Sequence, residues 1–340
     1  MDKQRRREIY LDYLRIISTA FVILLHCIGP YIEQEKLYGN NIWYFCIILN
    51  PIVRTAVPIF FMMSGYLSLS DKRTLDIKSF YLSRAKRVLL PFIVWDVVYY
   101  LYSNLSVGQT ISFARFFKEL FYQGSSYHFW YVYTLSAILL ITPFLKIIVD
   151  RCSKQQLVWL FFIVIFCGTI RPFLNTTFSL SIYLSEPLFE GYIGFFLLGY
   201  ILGHYDISVI SRIIIYISGI IGFAYGIYMN TYLSSAAGIH LKANGGYAIN
   251  QYMCAAALFC LFKRIKFSSH TKFSKFIISF SAVTYGIYLS HPLILDLVRR
   301  LRLDIVPSVD ITVCFALSFV AGGVLILILS RIKLIRNLIT

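Results

Sequence analysis

The sequence predicts an all-α integral membrane protein, a bundle of about ten transmembrane helices in one domain. Of the 340 residues, 58% are hydrophobic and 14% are charged, and the mean hydropathy is +0.70, far above that of soluble globular domains. Apolar runs near the ~20 residues that cross a bilayer recur throughout the chain. They cover 12–32, 42–69, 88–104, 128–149, 157–174, 187–203, 211–231, 246–262, 276–297 and 309–330. No linker or repeat interrupts them, so residues 1–340 are predicted to form a single membrane domain with no soluble domain.

The distribution of basic residues predicts the orientation of the bundle. Lysine and arginine are retained on the cytoplasmic side, and most of them fall in segments that lie inside when the N-terminus is cytoplasmic. Both termini are therefore expected in the cytoplasm. Arg299 and Arg300 are a local exception, because they follow the ninth run on the expected outer side. The first run is too long for a cleavable signal peptide and lacks a cleavage site of small residues, so it should remain as a span.

The composition also indicates which partners are expected. The net charge is +16, but the excess is spread over inner loops beside anionic headgroups, so membrane lipid is expected and nucleic acid is not. Seven cysteines are scattered without a CxxC pair, which predicts neither disulfides nor a metal site.

The first run carries Arg15 and His26, eleven residues apart. At about 100° and 1.5 Å per residue, they fall within roughly 20° of one helix face and about 16 Å apart in height. Ionisable groups on one face of a membrane helix indicate a passage or an active site. The alternative is that Arg15 snorkels to the inner headgroups and His26 hydrogen-bonds a neighbouring helix.

The second run contains Arg54, Pro58, Ser64 and Tyr66. A proline inside the helix, followed by a Ser-Gly pair, is typical of membrane helices that pack closely or line a cavity. Arg54 is therefore a candidate substrate contact. A packing kink with Arg54 paired to a carboxylate, either Asp96 or Glu190, explains the same residues.

At the start of the third run, Arg84, Lys86 and Arg87 place three cations within four residues. Guanidinium groups bind phosphates through paired hydrogen bonds, so this segment is a candidate phosphate clamp for a nucleotide-bearing cofactor from the cytoplasm. The alternative is that these residues only set the topology.

Two later segments add polar groups on the outer side. His128 and Trp130 belong to the sequence Tyr-His-Phe-Trp-Tyr at the mouth of the fourth span, where an aromatic belt accounts for every member except the histidine. In the ninth span, Tyr285 and Tyr288 lie one turn apart and His291 follows.

Together these segments resemble acyltransferase family 3, the bacterial integral-membrane O-acyltransferases that modify surface polysaccharides and lipids. The resemblance covers most of the chain and rests on five short motifs in the family's order. They are Arg-x10-His, Phe-Phe-x-x-Ser-Gly-Tyr, Arg-x-x-Arg-x-x-x-Pro-Phe, His-Phe-Trp-Tyr and Tyr-Gly-Ile-Tyr-x-x-His. With no extracytoplasmic domain, the chain looks most similar to the short members of the family.

The resemblance implies a multi-pass protein of the bacterial plasma membrane that transfers an acyl group, most often acetyl, from acyl-coenzyme A to a sugar hydroxyl on a lipid-linked or surface glycan. Arg15 and His26 match the family's essential pair. Coenzyme A phosphates are then expected at Arg84, Arg87 and Lys86, with the pantetheine arm directed along the Arg15 face toward His26. His26 would act as a general base or as a transient acyl carrier.

Further residues are supporting candidates because polar groups within apolar spans require partners or water. These are Arg54, Ser64, Tyr66, Asp96, His128, Trp130, Glu190, Tyr285 and His291. Two other functions remain open: a flippase or exporter of an acylated glycan intermediate, and a noncatalytic scaffold in a polysaccharide synthase complex. Neither explains why a cytoplasmic phosphate clamp and a mid-membrane base would lie on one route, which favours the transferase.

Overall fold

The computed structural model describes residues 8–178, 182, 191–237, 248–267, 271–301, 306–332 and 338–339. Within these ranges the regular structure is entirely helical. The α-helices of the described ranges are α1 (Ile9–Glu33), α2 (Asn41–Val53), α3 (Ala56–Leu69), α4 (Ile77–Arg84), α5 (Leu90–Ser106), α6 (Phe113–Tyr122), α7 (Trp130–Arg151), α8 (Lys154–Ile165), α9 (Arg171–Phe178), α10 (Ile193–His204), α11 (Val209–Ala237), α12 (Ile249–Arg264), α13 (Lys272–Ser281), α14 (Thr284–Arg300) and α15 (Pro307–Ser330).

The described helices form the membrane bundle that the composition predicts. Seven helical segments of the described ranges are long and apolar enough to span a membrane, and α13 with α14 forms an eighth candidate bent by 64°. These candidates coincide with every predicted run except the sixth and the eighth. There, α10 has 12 residues and α12 has 16, fewer than a perpendicular span needs. Ten spans and cytoplasmic termini therefore stay predictions.

The second predicted run is interrupted at Arg54. α2 ends at Val53 and α3 begins at Ala56, so Arg54 and Thr55 form a turn within the candidate span. Pro58 is the third residue of α3, where its missing N–H has no intrahelical acceptor to serve. The expectation of a proline inside the helix is therefore wrong for Pro58, which lies in the first turn of α3.

Close packing between α3 and α10 fixes the position of the Ser-Gly segment. A Cβ atom added to Gly65 would lie 1.9 Å from the carbonyl oxygen of Phe196, and one added to Gly199 would lie 2.0 Å from that of Met62. Only glycine at both positions lets the two backbones approach so closely. This contact holds α3 in place, with Phe60 and Ser64 on its cavity-lining face.

Helix α1 lies at the centre of the described bundle. It packs against α2, α3, α13, α14 and α15, and its apolar side chains Leu14 and Ile23 are fully buried. Because α1 is continuous over 25 residues, it carries polar side chains from one end of the bundle toward the other without a break.

Candidate active site

Two cavities open into the described bundle and share Tyr288 as a lining residue. The first, of about 410 Å³, includes Arg15, Arg84 and Arg87 and is called here the Arg15 cavity. The second, of about 530 Å³, includes His26, Arg54 and Arg299 and is called here the His26 cavity. The arrangement differs from a single open passage, because Arg15 and His26 line different cavities.

Arg15 forms an ion pair with the buried carboxylate of Asp12. Its Nη1 atom donates a hydrogen bond of 2.8 Å to Oδ1 of Asp12, one helical turn earlier, and the Asp12 side chain is only 1% exposed. Ser281 Oγ donates to the same Asp12 oxygen at 2.7 Å. Since Ser281 ends α13 and lines the Arg15 cavity, this hydrogen-bond chain connects Arg15 to the bend between α13 and α14.

Two of the three cations of the predicted phosphate clamp line the Arg15 cavity, and the third does not. Arg84 and Arg87 both line the Arg15 cavity, and a π-helical turn at Ala85–Leu89 follows Arg84 directly. Nη2 of Arg84 donates to Ser68 Oγ at 3.2 Å, and its guanidinium lies 4.9 Å from the centroid of Phe80. Lys86 is exposed and lies outside the lining of the Arg15 cavity, in a surface depression that Arg87 also lines.

His26 lies half-buried in the second cavity. Its ring centroid is 5.0 Å from that of Tyr127 and 5.3 Å from that of His291. Nη2 of Arg299 donates a hydrogen bond of 2.8 Å to the backbone carbonyl of His26. An imidazole that faces an open cavity can exchange a proton with a bound hydroxyl group.

Three imidazoles cluster beside this cavity. The His291 ring lies 5.3 Å from both the His26 and the His128 rings. The Nδ1 atom of His291 lies 2.6 Å from the carbonyl oxygen of Tyr288, and that of His128 lies 2.9 Å from Ser126 Oγ. Within the described residues, no group of three His, Cys, Asp or Glu side chains is arranged to hold a metal ion.

Arg54 projects from the turn between α2 and α3 into the His26 cavity. Its Nε atom donates to Asn50 Oδ1 at 2.9 Å, and Nδ2 of Asn230 donates to the same oxygen at 3.3 Å. Asp96, expected to neutralise Arg54, instead accepts the backbone N–H of Ser125 at 2.6 Å. It therefore anchors the loop that precedes His128. Glu190 lies outside the described residues.

Of the other predicted site residues, some line one of the two cavities and some are packed in the interior of the bundle. Ser64 and Tyr285 line the Arg15 cavity, whereas His128 and Trp130 line the His26 cavity. Tyr285 donates a hydrogen bond of 3.0 Å to the carbonyl of Val88. Tyr66 lines neither cavity; its hydroxyl donates to Oε1 of Glu8 at 2.7 Å and its ring is buried against Gly203. Tyr66 thus ties α3 to the start of α1.

Sequence reasoning missed several residues that the structure brings to the cavities. Arg299 is an exception to the charge rule only under the predicted orientation, and the structure places it in the lining of the His26 cavity. Asp12 precedes Arg15 by one turn, a spacing that predicts a side-chain pair. Asn50 and Asn230 meet from distant parts of the chain, and no local pattern indicates them.

Known proteins resemble this chain along nearly its whole length. Two relatives from Staphylococcus aureus, strains MRSA252 and Mu50, each bear the name probable poly-beta-1,6-N-acetyl-D-glucosamine export protein. They are 25% and 26% identical to it over 299 and 304 residues, which is 86% of this chain and 83% of each relative. No solved structure shows a significant match. The profile of acyltransferase family 3, described as an acyltransferase domain, matches residues 8–330, and the protein therefore belongs to this family of membrane acyltransferases.

Proposed function

We propose that this protein is an O-acyltransferase of the bacterial plasma membrane. It moves an acyl group, with acetyl as the expected case, from cytoplasmic acyl-coenzyme A to a hydroxyl of a lipid-linked or cell-surface glycan. The observation that carries the proposal is the pairing of the cavities. A cavity with three arginines adjoins, across Tyr288, a cavity with an accessible imidazole.

The Arg15 cavity suits the donor. Its described lining contains Arg15, Arg84 and Arg87 but no carboxylate, and guanidinium groups bind phosphates through charge-assisted hydrogen bonds. We assign the coenzyme A phosphates to Arg84 and Arg87. Apolar side chains of Phe60, Met63 and Leu67 line the same cavity and offer a surface for the pantetheine arm. Arg15, fixed by Asp12, then orients the arm.

The His26 cavity suits the acceptor. In the proposed reaction, His26 takes the proton of the acceptor hydroxyl as the oxygen attacks the thioester carbonyl. The tetrahedral intermediate collapses, the C–S bond breaks, and the proton passes from His26 to the departing coenzyme A thiolate. An ester and free coenzyme A result. Arg54 and Arg299 line the cavity beside His26 and supply hydrogen bonds to sugar hydroxyls.

Export of an acylated glycan is the second candidate function. The name of the relatives favours it, as do two cavities that adjoin at Tyr288. A pure exporter has no need to cleave a thioester, which separates the two functions experimentally.

Reconstitution in proteoliposomes tests the proposal. Acetyl-coenzyme A is supplied on the side of the Arg15 cavity, with a lipid-linked N-acetylglucosamine oligomer in the bilayer as acceptor. We expect free thiol to appear in step with ester on the glycan, and both to disappear in His26→Ala. Translocation of the glycan without thiol release would identify an exporter and overturn the proposal.

A further inference from the structure

Tyr288 is the one described residue that lines both cavities. It lies on α14, one turn after the 64° bend from α13, and is 4% exposed. Any group that passes from the arginines of one cavity to the imidazole of the other therefore meets the Tyr288 ring.

The ring is fixed from several sides. Its hydroxyl donates a hydrogen bond of 2.6 Å to the backbone carbonyl of His128, which places it against the wall of the His26 cavity. Its centroid lies 5.3 Å from that of Tyr131 and 6.4 Å from that of Phe60, and both of these rings line the Arg15 cavity. The rings of Tyr288, Tyr131 and Phe60 thus form an aromatic layer where the two cavities meet, called here the partition. The hydrogen bond of Tyr288 holds its ring in one orientation.

We propose that Tyr288 determines the length of the acyl group that this protein transfers, by closing the inner end of the donor cavity so that only a short acyl group fits between thioester and ring. The acyl length rests on the proposed function, whereas the partition rests on geometry alone. In the proposed reaction the thioester carbonyl reaches the boundary of the cavities from the Arg15 side, and the acyl chain lies between the carbonyl and the Tyr288 ring, so each added methylene meets the ring. A methylene that a pocket does not accommodate costs about 10- to 200-fold in specificity.

The partition is tested without reference to catalysis. In the variant His26→Cys, a membrane-impermeant thiol reagent is applied to proteoliposomes from one side at a time, with the wild-type protein measuring background from native cysteines. We expect modification from the His26 side alone. Adding Tyr288→Ala should allow modification from both sides, whereas Tyr288→Phe, which retains the ring, should not.

A matched control removes the neighbouring ring. Tyr285 lies one turn away on the same helix and lines only the Arg15 cavity, so Tyr285→Ala in His26→Cys should leave modification one-sided. Because loss of a buried ring can impair folding, Tyr288→Leu serves as a second variant that keeps an apolar side chain while shortening it.

Acyl length is tested with acetyl-, propionyl- and butyryl-coenzyme A as donors. We expect the wild-type protein to prefer acetyl by about tenfold or more per methylene, and Tyr288→Leu to lose most of that preference. One-sided modification in both Tyr288→Ala and Tyr288→Leu, together with an unchanged acetyl preference, would overturn the inference. One-sided modification of His26→Cys that becomes two-sided when Tyr288→Ala is added would support the partition. If the wild-type protein then transfers no acyl group, the proposed function would be rejected and the partition would be retained.

Discussion

The two cavities differ in the chemistry of their walls, although both lie against α1 and α14. The described lining of the Arg15 cavity combines three arginines with hydroxyl groups and apolar side chains and includes no carboxylate. The His26 cavity combines imidazoles, amides, arginines and Glu33. A cationic wall suits phosphates, whereas mixed donors and acceptors suit a sugar. The difference supports separate binding of donor and acceptor, with chemistry at their boundary.

The cavities also share one structural feature. The Arg15 cavity lies against the bend between α13 and α14, where Ala282 and Thr284 line it. The His26 cavity lies against the turn between α2 and α3, where Arg54 lines it. Irregular backbone at membrane depth is tolerated where it lines a cavity or is buried in protein. These two interruptions thus each line one of the two cavities of the proposed site.

The largest effect is expected from His26→Ala. Loss of a positioned general base lowers the rate of acyl transfer by about 10²- to 10⁴-fold. The protein should remain folded, because the imidazole is half-buried and faces the cavity. Transfer of radiolabelled acetyl measures the rate, and His204→Ala, a histidine outside both cavities, is the matched control. A near wild-type rate in His26→Ala would remove the base from the proposed mechanism.

A smaller effect is expected from the arginines of the other cavity. Arg84→Ala and Arg87→Ala should each weaken coenzyme A binding by about 1.5–3 kcal/mol, roughly ten- to more than a hundredfold. Calorimetry measures the affinity, which should also fall with rising salt. Lys86→Ala is the control of like charge, because Lys86 lies outside the cavity lining. Equal losses in all three variants would indicate general charge attraction and contradict a defined clamp.

The smallest effect is expected at the bend. Ser281→Ala removes one of the hydrogen bonds to Asp12 but leaves the ion pair with Arg15. The activation free energy of transfer should rise by about 1 kcal/mol, so the rate should fall roughly fivefold, because Arg15 is held less firmly. Ser279→Ala is the control, because Ser279 is exposed and bonds only to the Lys275 carbonyl among its described partners. Equal rates in the two variants would show that the chain through Asp12 does not position Arg15.

The sequence was informative where a pattern is local. Hydropathy predicts the long spans, and the eleven-residue spacing predicts that Arg15 and His26 lie along one continuous helix. The cluster at 84–87 predicts a phosphate clamp but not which cations enter the cavity, because a π-helical turn follows Arg84 and changes the spacing of side chains along the helix.

Tertiary contacts account for most of what the sequence does not indicate. Tyr66 belongs to a motif, yet its hydroxyl binds Glu8 across 58 residues of sequence. Asp96 binds the Ser125 loop, and Arg299 reaches the carbonyl of His26 from the opposite end of the chain. These partners depend on helix packing, which no short window of sequence contains. The division of the passage by Tyr288 depends on the same packing.

The most direct test of separate donor and acceptor cavities is the coenzyme A affinity of His26→Ala. Calorimetry should give the wild-type dissociation constant in this variant, although transfer is lost, because His26 lines only the second cavity. The double variant of Arg84→Ala with Arg87→Ala should instead bind coenzyme A more weakly than the wild-type protein does. A loss of affinity in His26→Ala as large as that in the double variant would place the donor at His26 and contradict the division.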